Sequence, residues 1–183
     1  MQDKEPKMAA ANPELLITEY MQCYGQNVWS YAFLLTRSTH AADDITQEVF
    51  EQAFLHLSRF EHRSSPKTWL LSITRNRSKN YMASAFMRKV TLMDRIDFKQ
   101  SGSSAEGEAL DRYSVNEIWK HVLSLPTKYR EALLLDAHYQ LSNREIAQLL
   151  GIAEGTVKSR IHRARAKMEK LLKGAELGNE QIQ

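Results

Sequence analysis

Cysteine is almost missing from this chain of 183 residues, where Cys23 stands alone. No internal disulfide can form and no cysteine-based zinc cluster can be assembled, which suits a reducing compartment. Cys23 itself reads as a small apolar residue. Long hydrophobic runs are missing as well. No stretch would span a bilayer and no charged-then-apolar leader opens the chain, so a cytoplasmic protein without membrane insertion is expected. No glycine-rich phosphate loop occurs, and no nucleophile, base and orienting group can be put together from spacing. The chain is therefore not read as an enzyme, and no catalytic residue, metal site or cofactor is expected. Neither an internal repeat nor a run of strand-like alternation is found. The net charge is small too, at +3, but an average over the chain hides how its charges are distributed.

What is present is helical periodicity, with 43% hydrophobic residues, enough to give two small domains a core each. Asn12 followed by Pro13 is a helix start, with asparagine as cap and proline in the first helical position, and this helix should run to about Thr36. A second helix, from Ala41 or Ala42 to Leu57, should bury Ile45, Val49, Ala53 and Leu57. Pro66 opens a third, expected to bury Trp69, Leu70, Ile73 and Tyr81 and to end near Met87. Residues 94–111 then read as a tether of Gly, Ser and acids. Helical pattern resumes with Tyr113, Ile118, Val122 and Leu123 on one stripe, is broken at Leu125-Pro126, and continues from Tyr129 to Tyr139.

The most specific stretch is Ser142 to Leu172. Ser142 and Glu145 form a capping box, Ile146, Leu149 and Leu150 give one apolar face, and Gly151 stands where a left-handed stop is cheapest. After a short turn a second helix starts near Glu154, with Val157, Ile161, Ala164, Met168 and Leu171 facing the core. From Lys158 to Lys173 its other faces carry Lys158, Arg160, Arg163, Arg165, Lys167, Lys170 and Lys173 against the single acid Glu169. That is the profile of a helix-turn-helix with its second helix in a major groove.

Charge is segregated elsewhere too. Asp43, Asp44, Glu48 and Glu51 lie in the second helix, with no Lys or Arg between Ala41 and Ser58. The next stretch, from His62 to Lys89, carries Arg63, Lys67, Arg75, Arg77, Lys79, Arg88 and Lys89 and no acid. Four acids beside a DNA-binding face repel phosphate, so they are either a solvated face or a docking surface for a basic protein. The basic stretch is interleaved with Phe60, Trp69, Tyr81 and Phe86 and with Ser64, Thr68, Asn76 and Asn80, a mixture suited to distorted or single-stranded DNA. Trp69 is expected in the core, on the stripe with Ile73. Arg63, Lys67, Lys79, Asn76 and Asn80 are the contact candidates.

These residues carry a resemblance over roughly Glu14 to Leu172. Ala42-Asp43-Asp44-Ile45-Thr46-Gln47-Glu48-Val49-Phe50, Thr68-Trp69-Leu70-Leu71-Ser72-Ile73-Thr74-Arg75-Asn76, and Leu125-Pro126 with Glu154-Gly155-Thr156-Val157-Lys158-Ser159-Arg160 resemble the motifs of extracytoplasmic-function (ECF) sigma factors of bacterial RNA polymerase. The resemblance implies an all-α fold of two small helical domains on a flexible linker, the C-terminal one a helix-turn-helix. Domain 2, residues 12–92, would bind core polymerase and recognise and melt the minus-10 element. Residues 93–111 would be the linker, and domain 4, residues 112–173, would recognise the minus-35 element.

The resemblance further implies that Asp44, Gln47 and Glu48, with Asp43 and Glu51 beside them, meet the clamp helices of the largest polymerase subunit. Domain 4 would touch the second-largest subunit. His62, Arg63, Ser64 and Lys67 would surround a flipped minus-10 base, with Asn76, Lys79 and Asn80 further along the helix. Here the chain departs from the family pattern, since Phe60-Glu61-His62 stands where Phe-Arg-Gly is common. The minus-35 candidates are Arg144, Gly155, Thr156, Lys158, Ser159, His162 and Arg163. Gly155 and Thr156 offer backbone N–H groups to a phosphate, while Lys158 and Arg163 suit either guanine edges or phosphates.

The implied function is promoter-directed transcription initiation in a stress or envelope response, with promoter DNA, core polymerase and an anti-sigma factor as partners. The alternative is a stand-alone helix-turn-helix regulator. The eighteen residues 94–111 reach at most about 60 Å extended but average about 23 Å as a coil. Two readers one DNA turn, about 34 Å, apart require the tether to be drawn out. Its acids suggest either an ordinary solvated linker or a segment that enters a nucleic-acid channel.

Overall fold

A computed structural model describes residues 12–93 and 117–180, with side chains of 87–93, 117 and 174–180 excluded. The expected tether and Tyr113 lie outside the described residues, from 94 onward. Among the described residues there are seven α-helices, one 3-10 turn and no strand. The chain divides between Ala109 and Leu110 into two compact units.

The first unit is a three-helix bundle. α1 (Pro13–Thr36) starts as expected, with the Asn12 side chain accepting the Glu14 N–H at 2.9 Å. It ends where Arg37 adopts a left-handed conformation, φ 58°, and its N–H returns to the Phe33 carbonyl at 2.7 Å. Ser38 then caps α2 (Thr39–His56), its hydroxyl accepting the Ala41 N–H at 3.2 Å. The serine cap moves the start of α2 ahead of the expected Ala41. A 3-10 turn, Leu57–Arg59, leads into the loop before α3 (Pro66–Met93). Ser65 caps α3 through the Thr68 N–H, at 3.1 Å, just ahead of the expected Pro66.

The core draws Ile17, Tyr20, Tyr24, Val28 and Tyr31 from α1, and Ala41, Ala42, Ile45, Val49 and Ala53 from α2. From α3 it draws Leu70, Leu71, Thr74 and Ser78. This phase corrects the expected stripe. Leu70 is buried, but Trp69, Ile73 and Tyr81 are only half-buried, as is Leu57 in the 3-10 turn. The buried polar positions Thr74 and Ser78 complete the true inward face. Thr74 is tolerated there because its hydroxyl bonds the Leu70 carbonyl at 2.8 Å. α3 also runs past the expected end near Met87, to Met93.

The second unit contains α4 (Glu117–Ser124), α5 (Thr127–Ala137), α6 (Asn143–Leu150) and α7 (Glu154–Glu180). α5 and α6 both pack on α7, and α4 packs on it as well. Val122, Leu134, Leu135, Ile146, Leu149, Leu150, Val157, Ile161, Ala164 and Met168 form the core. Three expected core residues stand outside it: Ile118 is 47% exposed, and Leu123 and Leu171 are half-buried. Arg130, only 2% exposed, is a structural cation. Its guanidinium donates to the Leu123 carbonyl at 2.8 Å and the Leu125 carbonyl at 3.4 Å, satisfying the carbonyls at the end of α4.

Candidate functional site

The helix-turn-helix is built by local signals that agree with one another. The Ser142 hydroxyl accepts the Glu145 N–H at 3.3 Å and the Glu145 carboxylate accepts the Ser142 N–H at 2.9 Å, completing the capping box that starts α6. Gly151, at φ 65°, ends it. Its N–H reaches the Gln148 carbonyl at 3.3 Å and the Ile152 N–H reaches the Ala147 carbonyl at 3.1 Å, the paired bonds of a Schellman stop. α7 then begins at Glu154. Ala153, ahead of it, has no side-chain acceptor with which to cap the helix.

Val157, Ile161, Ala164 and Met168 take the buried face of α7, leaving Ser159, His162 and Arg163 exposed on the opposite one. Thr156 and Lys158 are exposed on its flanks, Gly155 is exposed in the first turn and Arg144 is exposed on α6. All seven minus-35 candidates are thus accessible. A Cβ built at Gly155 would meet nothing within 4 Å, so the fold does not require glycine there. Arg165 is spent differently from its neighbours. Its guanidinium bonds the Asp136 carboxylate at 2.7 Å and ties α7 to α5.

In the first unit, Asp43, Asp44, Gln47, Glu48 and Glu51 are all exposed on α2. They are not equivalent. The Trp29 indole donates to Asp43 at 2.6 Å, so this acid fastens α2 to α1. Asp44 lies 3.6 Å from His40, Gln47 donates to Glu51 at 2.8 Å, and Glu48 stands 3.8 Å from Arg77 of α3. Beside them runs a groove of about 550 Å³ between α1 and α2, lined by Ile17, Met21, Trp29, Phe50 and Phe54 and edged by Asp43 and Glu51. Met21 is 51% and Phe54 44% exposed. Sequence reasoning missed this apolar strip, although Phe54 and Leu55 lie off the core stripe of α2 and signalled it.

The basic face is arranged around a stack. Phe60 and Trp69 lie with ring centroids 4.3 Å apart and planes 12° from parallel, and the His62 ring is tilted against Phe60 at 4.4 Å. Trp69, Ile73, Asn76 and Asn80 follow one line along α3, with Lys79 beside them. Asn76, Lys79 and Asn80 are exposed. Trp69 therefore belongs to the candidate DNA face and not to the core. Lys67 does not join this line. It is half-buried and lies nine residues, about two and a half turns, before Asn76, on the other side of the helix. Ser64 is half-buried, while His62 and Arg63 are exposed. Glu61 pairs with Arg63 at 2.5 Å, which lowers the positive charge of the loop.

Residues 20–85 match the Sigma-70 region 2 family, and residues 116–168 match the family Sigma-70, region 4. The chain is 33% identical over 147 residues to the ECF RNA polymerase sigma factor SigC of Mycobacterium tuberculosis (strain CDC 1551 / Oshkosh), covering 80% of this chain and 77% of SigC. The chain belongs to the ECF sigma factors of RNA polymerase. It is 29% identical over 158 residues to the sigma factor SigM of Bacillus subtilis (strain 168), covering 86% of this chain and 95% of SigM. Among solved structures, the sigma factor RpoE of Bartonella quintana, in complex with the anti-sigma factor NepR, superposes with a TM-score of 0.68 at 27% identity. That match covers 85% of this chain and 96% of the other. This sigma factor accordingly has core RNA polymerase and promoter DNA as its partners. No helix among the described residues is long and apolar enough to cross a membrane.

Proposed function

We propose that this sigma factor docks on the clamp helices of the largest polymerase subunit through the exposed face of α2, with Asp44, Gln47 and Glu48 as the principal contacts. The observation that carries this is the exposure of these three side chains on one stretch of α2, where Gln47 lines the apolar groove and Asp44 and Glu48 extend the acidic surface beyond it. Charged rims around apolar strips steer association and fix register, while the apolar part supplies area. Asp43 acts mainly through its bond to Trp29, and Glu51 through Gln47.

The shelf of Phe60, His62 and Trp69 takes an unstacked minus-10 base. Arg63, Ser64, Asn76, Lys79 and Asn80 hold the strand and assist promoter opening, and Lys67 supports the loop from its own side of α3. Thr156, Lys158, Ser159, His162 and Arg163 face the minus-35 duplex, Arg144 flanks them, and the N–H groups of Gly155 and Thr156 meet a phosphate. In the second unit, a groove of about 520 Å³ bordered by Ile118, Trp119, Leu134, Met168 and Leu172 suits a helix of the second-largest subunit. The protein works in the cytoplasm without catalysis of its own, in a stress or envelope response, and is held inactive by an anti-sigma factor, as RpoE is bound by NepR in its complex.

Two variants of the full chain test the assignment. Asp44→Lys with Glu48→Lys should weaken co-purification with core polymerase at least about 30-fold, leaving the circular dichroism spectrum unchanged; normal core binding would remove the docking surface. Lys158→Ala with Arg163→Ala should retain core binding and lose promoter-specific initiation.

A further inference from the structure

Tyr129 belongs to α5, outside the helix-turn-helix, yet its side chain stands among the cations of α7. The Lys128 ammonium lies 5.1 Å from the centre of its ring and the Lys167 ammonium 6.0 Å from it, both within cation–π range. The Arg163 side chain acts on its hydroxyl as a hydrogen-bond partner strongly enough to be the largest cause of the phenol's lowered pKa. Arg163 and Lys167 are four residues apart and so project from the same side of α7. Two helices therefore converge four polar groups, three of them cationic, beside a helix that faces DNA.

We propose that Tyr129 is a positioning residue of the minus-35 reader, holding the Arg163 guanidinium with its hydroxyl and gathering Lys128 and Lys167 at its ring into a seat for one backbone phosphate. The inference rests on the reading of α7 as the DNA-facing helix and adds α5 to that surface. A guanidinium has five N–H donors, so Arg163 can bond the phenol and still present donors to a base or phosphate. Fixing a long side chain before binding removes part of the ordering cost of association. The Arg163 hydrogen bond, with the charges of Lys128, Arg163 and Lys167, holds the Tyr129 hydroxyl below the usual phenol range, against the opposing effect of burial. The site thus favours negative charge even at its own phenol, which is the property a phosphate seat needs.

The test uses full-length protein assembled with core polymerase and a duplex selected by the wild-type holoenzyme from a library randomised over the minus-35 element. Tyr129→Phe keeps the ring and removes only the hydroxyl. It should weaken binding of the selected duplex roughly three- to tenfold and relax base preference at the position relaxed by Arg163→Ala. The double variant should be no weaker than Arg163→Ala alone, since the two groups act as one. Lys128→Ala with Lys167→Ala should weaken selected and scrambled duplexes alike and reduce the slope of log affinity against log salt by about 1. Wild-type binding by Tyr129→Phe, or additivity in the double variant, would overturn the positioning role; an unchanged salt slope would overturn the seat. If Lys158→Ala with Arg163→Ala also binds normally, the fault lies in the assignment of α7. If that variant fails and Tyr129→Phe does not, only the role of Tyr129 falls.

Discussion

His62 occupies the left-handed region at φ 52°, where an L-residue with a side chain is strained by about 1–2 kcal/mol relative to glycine. This explains the departure noted in the sequence. The backbone at this position favours the glycine common in the family, and here histidine is held instead, with its ring against Phe60. The strain could not be read from the chain, because it depends on how the loop closes between the 3-10 turn and Ser65. Replacing His62 by alanine should keep the strain and lose the ring contact, whereas glycine loses the contact and relieves the strain. His62→Gly should therefore be more stable than His62→Ala by about 1 kcal/mol in denaturant unfolding. Equal stabilities would mean that the loop relaxes without the ring.

Among the elements, α6 and α7 were legible because their signals are local: a capping box, a left-handed glycine and an apolar face at helical spacing. α3 was legible as a helix but not in its phase. Trp69 and Ile73 looked like core by hydrophobicity, while the real inward face includes Thr74 and Ser78, whose small polar side chains allow close packing. The two glycines flanking the turn of the helix-turn-helix make opposite predictions. Gly151 has a positive φ, so Gly151→Ala should cost about 1–2 kcal/mol of unfolding free energy. Gly155 has none of this constraint and open space at its Cβ position. Gly155→Ala should leave stability unchanged or raise it by up to about 1 kcal/mol, yet weaken promoter binding by filling the space where the proposed phosphate contact needs a close approach. Parallel thermal melts and duplex titrations distinguish the two effects.

Across the whole molecule, the sign of charge along the chain was the most readable signal, since α2 and α3 differ so sharply that no averaging within either obscures it. The apolar grooves were less readable. They arise between helices, from residues such as Met21 and Phe54 that are distant in sequence, and no single helix announces them. Two modest readers on one chain gain affinity from linkage only if the connection spans both targets. Removing twelve of the residues 94–111 leaves about 20 Å of extended chain in that segment, less than the about 34 Å repeat of DNA. Such a deletion should keep co-purification with core polymerase and abolish initiation at promoters that need both elements. Unimpaired initiation would show that the length of this segment does not limit reach.

The stack of Trp69 on Phe60 also has an optical consequence. The chain has three tryptophans, and each stands in a different place: Trp29 bonded to Asp43 at the α1–α2 groove, Trp69 stacked on Phe60 in the first turn of α3, and Trp119 edge-on to His138 in the second unit. Indole emission shifts with the polarity and stacking of its surroundings. Variants retaining one tryptophan each would therefore be built-in fluorescent probes, each testing one of the proposed roles: polymerase docking at the groove, base capture at the shelf, and engagement of the second unit.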